Sequence, residues 1–210
     1  MALSNDMHLV AVQLERLRPT QITVGYREVQ AKRRHWETLG HKARAAAIDT
    51  HWFPAVLGPG DEYFIVDHHH LGLALLEEGE AQARVMLLRD LSWLEAEIFW
   101  RMMEHNQWVH PYGADGKRCD YGRIPGALAR LEDDPYRSLA GAMRAAGGYA
   151  KDATPFSEFL WADYLRPLIK PAAIADNFDQ ALSNALVLAH EQPARYLPGW
   201  SGKVEAGVNA

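Results

Sequence analysis

Short apolar runs alternate with amphipathic segments along the first 91 residues of the chain. Period-two alternation predicts strands and a spacing of three or four predicts helices. The predicted elements are strands over 7–17 (MHLVAVQLERL) and 83–91 (ARVMLLRDL), a helix over 28–39 (EVQAKRRHWETL), and a hairpin over 53–67 (FPAVLGPGDEYFIVD) that turns at Gly58-Pro59-Gly60. Leucine and alanine then predict a short helix that ends at Gly79.

From residue 92 onward the pattern is helical. The predicted helix starts are a capping box at Ser92 and Glu95, Asp134-Pro135, and Thr154-Pro155, and a fourth helix is expected over 174–190. The fold class predicted is therefore α+β. A small mixed α/β domain over residues 1–91 precedes a helical extension over 92–210, which we expect to pack on it.

Composition and charge leave the predicted elements unchanged, but they indicate which kinds of protein the chain can be. The 210 residues are 48% hydrophobic and 23% charged, which is typical of a globular protein with one sizeable core or two small ones. A formal charge of -5 does not favour nucleic acid as the partner. One cysteine, no long apolar run and no leader pattern at the N-terminus predict a cytoplasmic protein that is not in a membrane. No oligomeric state is predicted.

The candidate chemistry is concentrated at Asp67-His68-His69-His70, where the hairpin ends and the next helix begins. An aspartate there can cap the helix, and the backbone N–H groups of a first helical turn bind anions. His68, His69 and His70 can add side-chain donors to a phosphate. The segment therefore predicts a phosphate cradle.

Two alternatives for this segment remain open. The histidines could simply cap and pack the helix. They could also ligate zinc or iron, but a metal needs a further ligand such as His41, His51 or His110, and no metal-binding spacing provides one. The protein alone is thus not expected to hold a metal.

Several segments together resemble one family. The segments are LRPTQITVG (17–25), Glu28 with Lys32 after it, YFIVDHHHLGLAL (63–75), DDPYRSLAGAMRAAGGYAK (133–151), FSEFLWAD (156–163) and LPGW (197–200). They are similar to the ParB/sulfiredoxin superfamily, and most similar to its branch of ParB-like nucleases. That resemblance implies a ParB/sulfiredoxin-like first domain with a nucleotide phosphate bound at the strand-to-helix turn.

The resemblance also implies roles for particular residues. Free serine kinases of this superfamily use a glutamate in this region as a base, which would make Glu28 catalytic together with Asp67, His69 and His70. The nucleotide (ATP or ADP) would carry Mg²⁺, with Asp67 as a contact. For Glu28 and Lys32, an exposed i, i+4 ion pair worth about 0.3 to 0.5 kcal/mol is the alternative explanation.

The sequence departs from the superfamily pattern in three ways. His69 stands where a sulfiredoxin has its reactive cysteine, so sulfiredoxin chemistry is not expected. Leu71 replaces the usual arginine, so one phosphate contact is either lost or supplied by another residue such as Lys32, Arg33 or Arg34. A helix-turn-helix module after the first domain is not evident.

The second half adds weaker candidates for substrate binding, namely Asp134, Arg137 and Lys151. A helix start with acidic residues and a solvated loop lysine explain them equally well. The function predicted is a small-molecule phosphotransferase or nucleotide-phosphate hydrolase acting on a small-molecule or nucleotide ligand. A ParB-like nuclease or nucleic-acid-binding protein, and a nucleotide sensor without turnover, are the alternatives.

Overall fold

The computed structural model describes residues 9–202. The strands are β1 (Leu9–Gln13), β2 (Leu17–Arg18), β3 (Thr23–Val24), β4 (Trp52–Gly58), β5 (Glu62–Ile65), β6 (Gln82–Asp90) and β7 (Glu132–Asp133). The helices are α1 (Tyr26–Glu37), α2 (His41–Thr50), α3 (His69–Glu77), α4 (Ala96–His105), α5 (Pro135–Ala145), α6 (Ser157–Leu165), α7 (Pro171–Asp176) and α8 (Phe178–Ala189). The α+β class is confirmed.

A five-stranded mixed sheet has the order β1-β6-β4-β5-β2, and β3 pairs with β7 in a separate ribbon. β4 and β5 form the predicted antiparallel hairpin, in which Ala55 lies opposite Ile65. Its turn contains Gly60 at a φ of 75°, a conformation that favours glycine. β4 also runs parallel to β6, so the hairpin lies inside the sheet and delivers the chain to α3.

The sheet packs apolar side chains into two clusters. Successive residues of a strand point to opposite faces of the sheet. On β5, Ile65 accordingly belongs to the cluster with Phe53, Leu73 and Val85, whereas Phe64 packs with Val56 and Phe99.

The chain divides into two compact units, and the division differs from the boundary expected at residue 91. The first unit contains residues up to Val24 and Glu28–Asp133, and the second contains Gly25–Arg27 and the residues from Asp134. Residues 92–133 stay with the sheet because Phe99 and Met103 bury themselves against Val56, and Leu128 joins the cluster around Phe53.

The second unit is a set of helices around a core of its own. Trp161 is fully buried, and Tyr149 stacks on it with ring centroids 4.4 Å apart. The predicted start of α5 is confirmed, because the Asp134 carboxylate accepts the Tyr136 backbone N–H at 2.9 Å.

Two predicted helix starts were placed too early, for a shared reason. Ser92 donates its N–H and hydroxyl to Asp90, and Thr154 donates both groups to Asp152. The hydroxyl residues are therefore held in local turns, and α4 and α6 begin three or four residues later. The fourth expected helix is divided into α7 and α8 at Asn177, whose side chain caps α8.

Across residues 9–202, every helix falls short of the length and apolar character that crossing a bilayer requires.

Candidate functional site

The histidine segment after β5 is held in place by hydrogen bonds from Thr20, which precedes β3. The Thr20 backbone N–H donates to Nε2 of His69 at 3.1 Å, and the Thr20 hydroxyl donates to the carbonyl of Ile65 at 2.8 Å. Both Thr20 and His69 are buried. His69 therefore anchors the first turn of α3 to the LRPTQIT segment, and its Nε2 is used as an acceptor rather than offered to a phosphate.

The start of α3 differs in one respect from the expected cap. His68, not Asp67, is the N-cap residue, and it adopts a left-handed conformation with φ 65°. The Asp67 carboxylate accepts the His68 N–H at 2.6 Å and lies exposed at the surface. Because that bond is made outside the helix, Asp67 shapes the turn and does not cap α3. A left-handed histidine is uncommon, and such conformations concentrate at functional sites.

Glu28 on α1 lies between two cationic or basic groups. Its carboxylate is 3.6 Å from Nε2 of His70 and 3.7 Å from Nζ of Lys32. His70 is buried, whereas the Glu28 side chain keeps 29% of its surface exposed. The i, i+4 pair with Lys32 is thus present, but Glu28 also faces the histidine segment of α3.

A cavity of about 490 Å³ opens beside this group and is formed entirely within the first unit. We call its exposed or part-exposed polar residues the rim: Glu28, Lys32, His35, His51, His68 and Gln82. We call its buried residues the floor: Trp36, Phe53, Leu75 and Ala83. The cavity therefore joins an apolar interior to a histidine-rich entrance that contains one carboxylate and one lysine.

Arg33 was expected to contact phosphate, and the structure places it elsewhere. Its guanidinium bonds Glu77 at 2.9 Å and Glu78 at 2.8 Å, at the far end of α3 from the histidines. The hydrogen bond to Glu78 raises the pKa of Arg33 against the opposing effect of desolvation, and the charges of Glu77 and Glu78 add to the rise. Arg33 thus ties α1 to α3 and leaves Lys32 as the expected phosphate cation at the rim.

The three weaker candidates all belong to the second unit. Asp134 is fully buried, caps α5 and pairs with Arg166 at 2.5 Å. Arg137 is buried in an ion pair with Glu158, and Lys151 is exposed in a loop. Asp134 and Arg137 are thus tied into internal ion pairs of that unit.

Within residues 9–202, no three histidine, cysteine, aspartate or glutamate side chains come close enough together to hold a metal. Mg²⁺ bound with a nucleotide needs only one or two carboxylates, because phosphates and water supply the rest. The exposed Asp67 carboxylate, next to the start of α3, fits that modest requirement.

Sequence reasoning missed most of the cavity. Glu28, Lys32 and His35 are spaced i, i+4 and i+7 on α1, so they share one face. That spacing could have placed His35 on the same side of α1 as Glu28. The floor residues had no such signal, because a buried tryptophan and phenylalanine look like ordinary core in a sequence.

A family model described as "Putative ParB-like nuclease" matches residues 10–167. No curated protein matched the chain. Among solved structures, protein Atu1540 from Agrobacterium tumefaciens is 45% identical, with a TM-score of 0.88 over 94% of this chain and 98% of that one. A conserved hypothetical protein from Pyrococcus furiosus is 24% identical, with a TM-score of 0.32 over 39% of this chain and 32% of that chain, too little for any argument.

Proposed function

Because this chain belongs to the ParB-like nuclease family, we propose that it acts on phosphate esters at the cavity beside Glu28 and His70. The preferred ligand is a small phosphorylated molecule, with a nucleotide as phosphoryl donor or as the compound hydrolysed. The observation that carries this proposal is the position of Glu28, which lines the cavity and contacts His70 at the same time.

Glu28 is the base in this proposal. The hydroxyl of water or of a small alcohol gives its proton to the Glu28 carboxylate as its oxygen bonds to phosphorus and the bond to the leaving oxygen breaks. His70 holds the carboxylate in position from its buried side, at 3.6 Å. A general base of this kind contributes roughly 10² to 10⁴-fold to the rate.

Phosphate binding is assigned to the other rim residues. Lys32 supplies a fixed positive charge, and His68 supplies a donor at the N-terminus of α3, where the helix dipole favours an anion. Asp67 would hold Mg²⁺ that arrives with the nucleotide, and the metal would supply neutralisation of phosphate charge. His69 is then a positioning residue, since its Nε2 receives the Thr20 N–H.

A nuclease is the second candidate, and the family description favours it. The same base would activate water against a phosphodiester. The formal charge of -5 and a rim with only one lysine support a small ligand over a polynucleotide backbone.

The test is a screen of nucleotides and small phosphate esters, with and without Mg²⁺, for stabilisation and for phosphate release or transfer. A ligand at 100 times its Kd raises the free energy of unfolding by about 2.7 kcal/mol. Single- and double-stranded DNA and RNA are assayed in parallel. Cleavage of polynucleotides without turnover of small esters would replace the first candidate by the second.

A further inference from the structure

The floor of the cavity is apolar in a way that phosphate chemistry at the rim does not require. Phe53 is 1% exposed, Leu75 3% and Trp36 6%. Partly buried Leu39, Ile48 and Leu71 continue this surface toward the rim. A volume of about 490 Å³ falls within the range of about 300 to 1,000 Å³ that is usual for small-molecule sites.

The floor offers little to a polar occupant. The indole N–H of Trp36 already donates to Glu80 at 2.9 Å, and Phe53, Leu75 and Ala83 have hydrocarbon side chains. A nucleobase or sugar placed there would lose hydrogen bonds to water without replacement, which costs about 1 to 3 kcal/mol per group. A hydrocarbon group in the same place is stabilised by burial.

The rim has the opposite character. Lys32 and the rings of His35, His51 and His68 can donate hydrogen bonds, and Glu28 is the one carboxylate of the rim. The donors complement one compact anionic head, and the Glu28 carboxylate complements a hydroxyl that can donate its proton.

From these two surfaces we infer that the cavity binds the phosphate monoester of an apolar alcohol, with the hydrocarbon on the floor and the phosphate at the rim. The inference rests on the proposed function for the role of the head group, because Glu28 would face the phosphate or the hydroxyl from which it is made. Such an ester is the product of a phosphoryl transfer to an apolar alcohol, or the substrate of a hydrolysis that releases it.

The experiment is calorimetric titration with butyl, pentyl and hexyl phosphate, with inorganic phosphate and glycerol phosphate as polar controls. The Kd is expected to fall roughly fourfold for each added methylene. Glycerol phosphate is expected to bind no better than inorganic phosphate. Equal Kd values along the alkyl series would overturn the inference.

A pair of variants on α2 locates the binding. Ala47 lines the cavity and Ala46 is exposed on the same helix, on which no residue is fully buried. Ala47→Trp should abolish the dependence on chain length, whereas Ala46→Trp should keep it. Ile48→Gln, which replaces apolar wall by an amide of similar size, should weaken hexyl phosphate more than butyl phosphate even if Ala47→Trp fails to fold. An unchanged chain-length dependence in folded Ala47→Trp, or in Ile48→Gln, would place the alkyl site elsewhere and contradict the inference.

Failure of this inference and failure of the proposed function are distinguishable. Glu28→Gln tests catalysis, and it should leave the increment per methylene intact because Glu28 lies on the rim. Full turnover in Glu28→Gln together with an intact increment removes the proposed base and keeps the cavity assignment. If Glu28→Gln loses turnover but the affinity of the native protein does not rise with alkyl chain length, Glu28 remains the base and the cavity assignment is removed.

Discussion

The Thr20 backbone N–H donates to Nε2 of His69 across 49 residues of sequence, and both residues are buried. His69→Leu removes the acceptor and leaves a buried donor without this bond, which costs about 1 to 3 kcal/mol. We expect that loss in the free energy of unfolding measured with urea. His69→Gln, which retains an acceptor, should recover part of it. Normal stability with reduced phosphate affinity in His69→Leu would instead make His69 a ligand.

His68 combines a left-handed backbone with a side chain at the rim of the cavity. Glycine adopts this conformation without a Cβ penalty, so His68→Gly should leave stability unchanged or raise it slightly. The same change should weaken phosphate binding, because it removes a donor from the rim. Thermal unfolding and calorimetry of one preparation measure both effects. A stable variant with unaltered phosphate affinity would exclude His68 from the site.

Variants of Asp134 distinguish a structural role of this residue in the second unit from a role in substrate binding. It is fully buried against Arg166 and also caps α5. Asp134→Ala should destabilise by about 3 to 5 kcal/mol, because it leaves a partly buried arginine with less compensation. Asp134→Asn keeps the helix cap, so it should destabilise the protein by about 1 kcal/mol less than Asp134→Ala does. Near-native unfolding free energies combined with a raised KM would restore Asp134 as a substrate contact.

Glu104 predicts a dependence of stability on acidity. The Tyr121 hydroxyl, and then Arg118, bind its carboxylate and lower the pKa of Glu104 below its ordinary value of 4.5, against an opposing effect of burial. Its contribution is therefore present above pH 4.5 and is lost as the pH falls through the depressed pKa.

We expect Glu104→Gln to be less stable than the native protein at pH 7 and the difference to shrink by pH 3. Urea unfolding across that range measures it, with exposed Glu95→Gln as the control. A difference that stays constant with pH would show that the carboxylate charge is not the cause.

Local patterns predicted the elements that carry the site, and side-chain competition explains where they failed. The β4–β5 hairpin follows from Gly58-Pro59-Gly60, and the end of α3 follows from Gly79, which has φ 76°. Ser92 and Thr154 are residue types that often cap helices. Their hydroxyls instead donate to the carboxylates of Asp90 and Asp152, which lie two residues upstream. Propensity alone does not say which of two local bonds forms.

The candidate site was predictable in its residues and less so in its geometry. The proximity of Glu28 and His70, 42 positions apart, depends on the packing of α1 and α3, which no local pattern fixes. Arg33 was as good a phosphate ligand as Lys32 in the sequence. Arg33 follows Lys32 directly on α1, and adjacent residues on a helix do not share a face. Arg33 therefore points toward Glu77 and Glu78 instead of the cavity rim.

The rate with Glu28→Gln tests the central claim most directly. With the phosphate ester that the native protein turns over fastest, kcat should fall by roughly 10² to 10⁴-fold, since the amide cannot take the proton. The Kd should change less than about threefold, and Glu37→Gln, exposed on the same helix, should behave like the native protein. An unchanged kcat in Glu28→Gln, or a loss of binding that accounts for the whole effect, would contradict the assignment of Glu28 as the base.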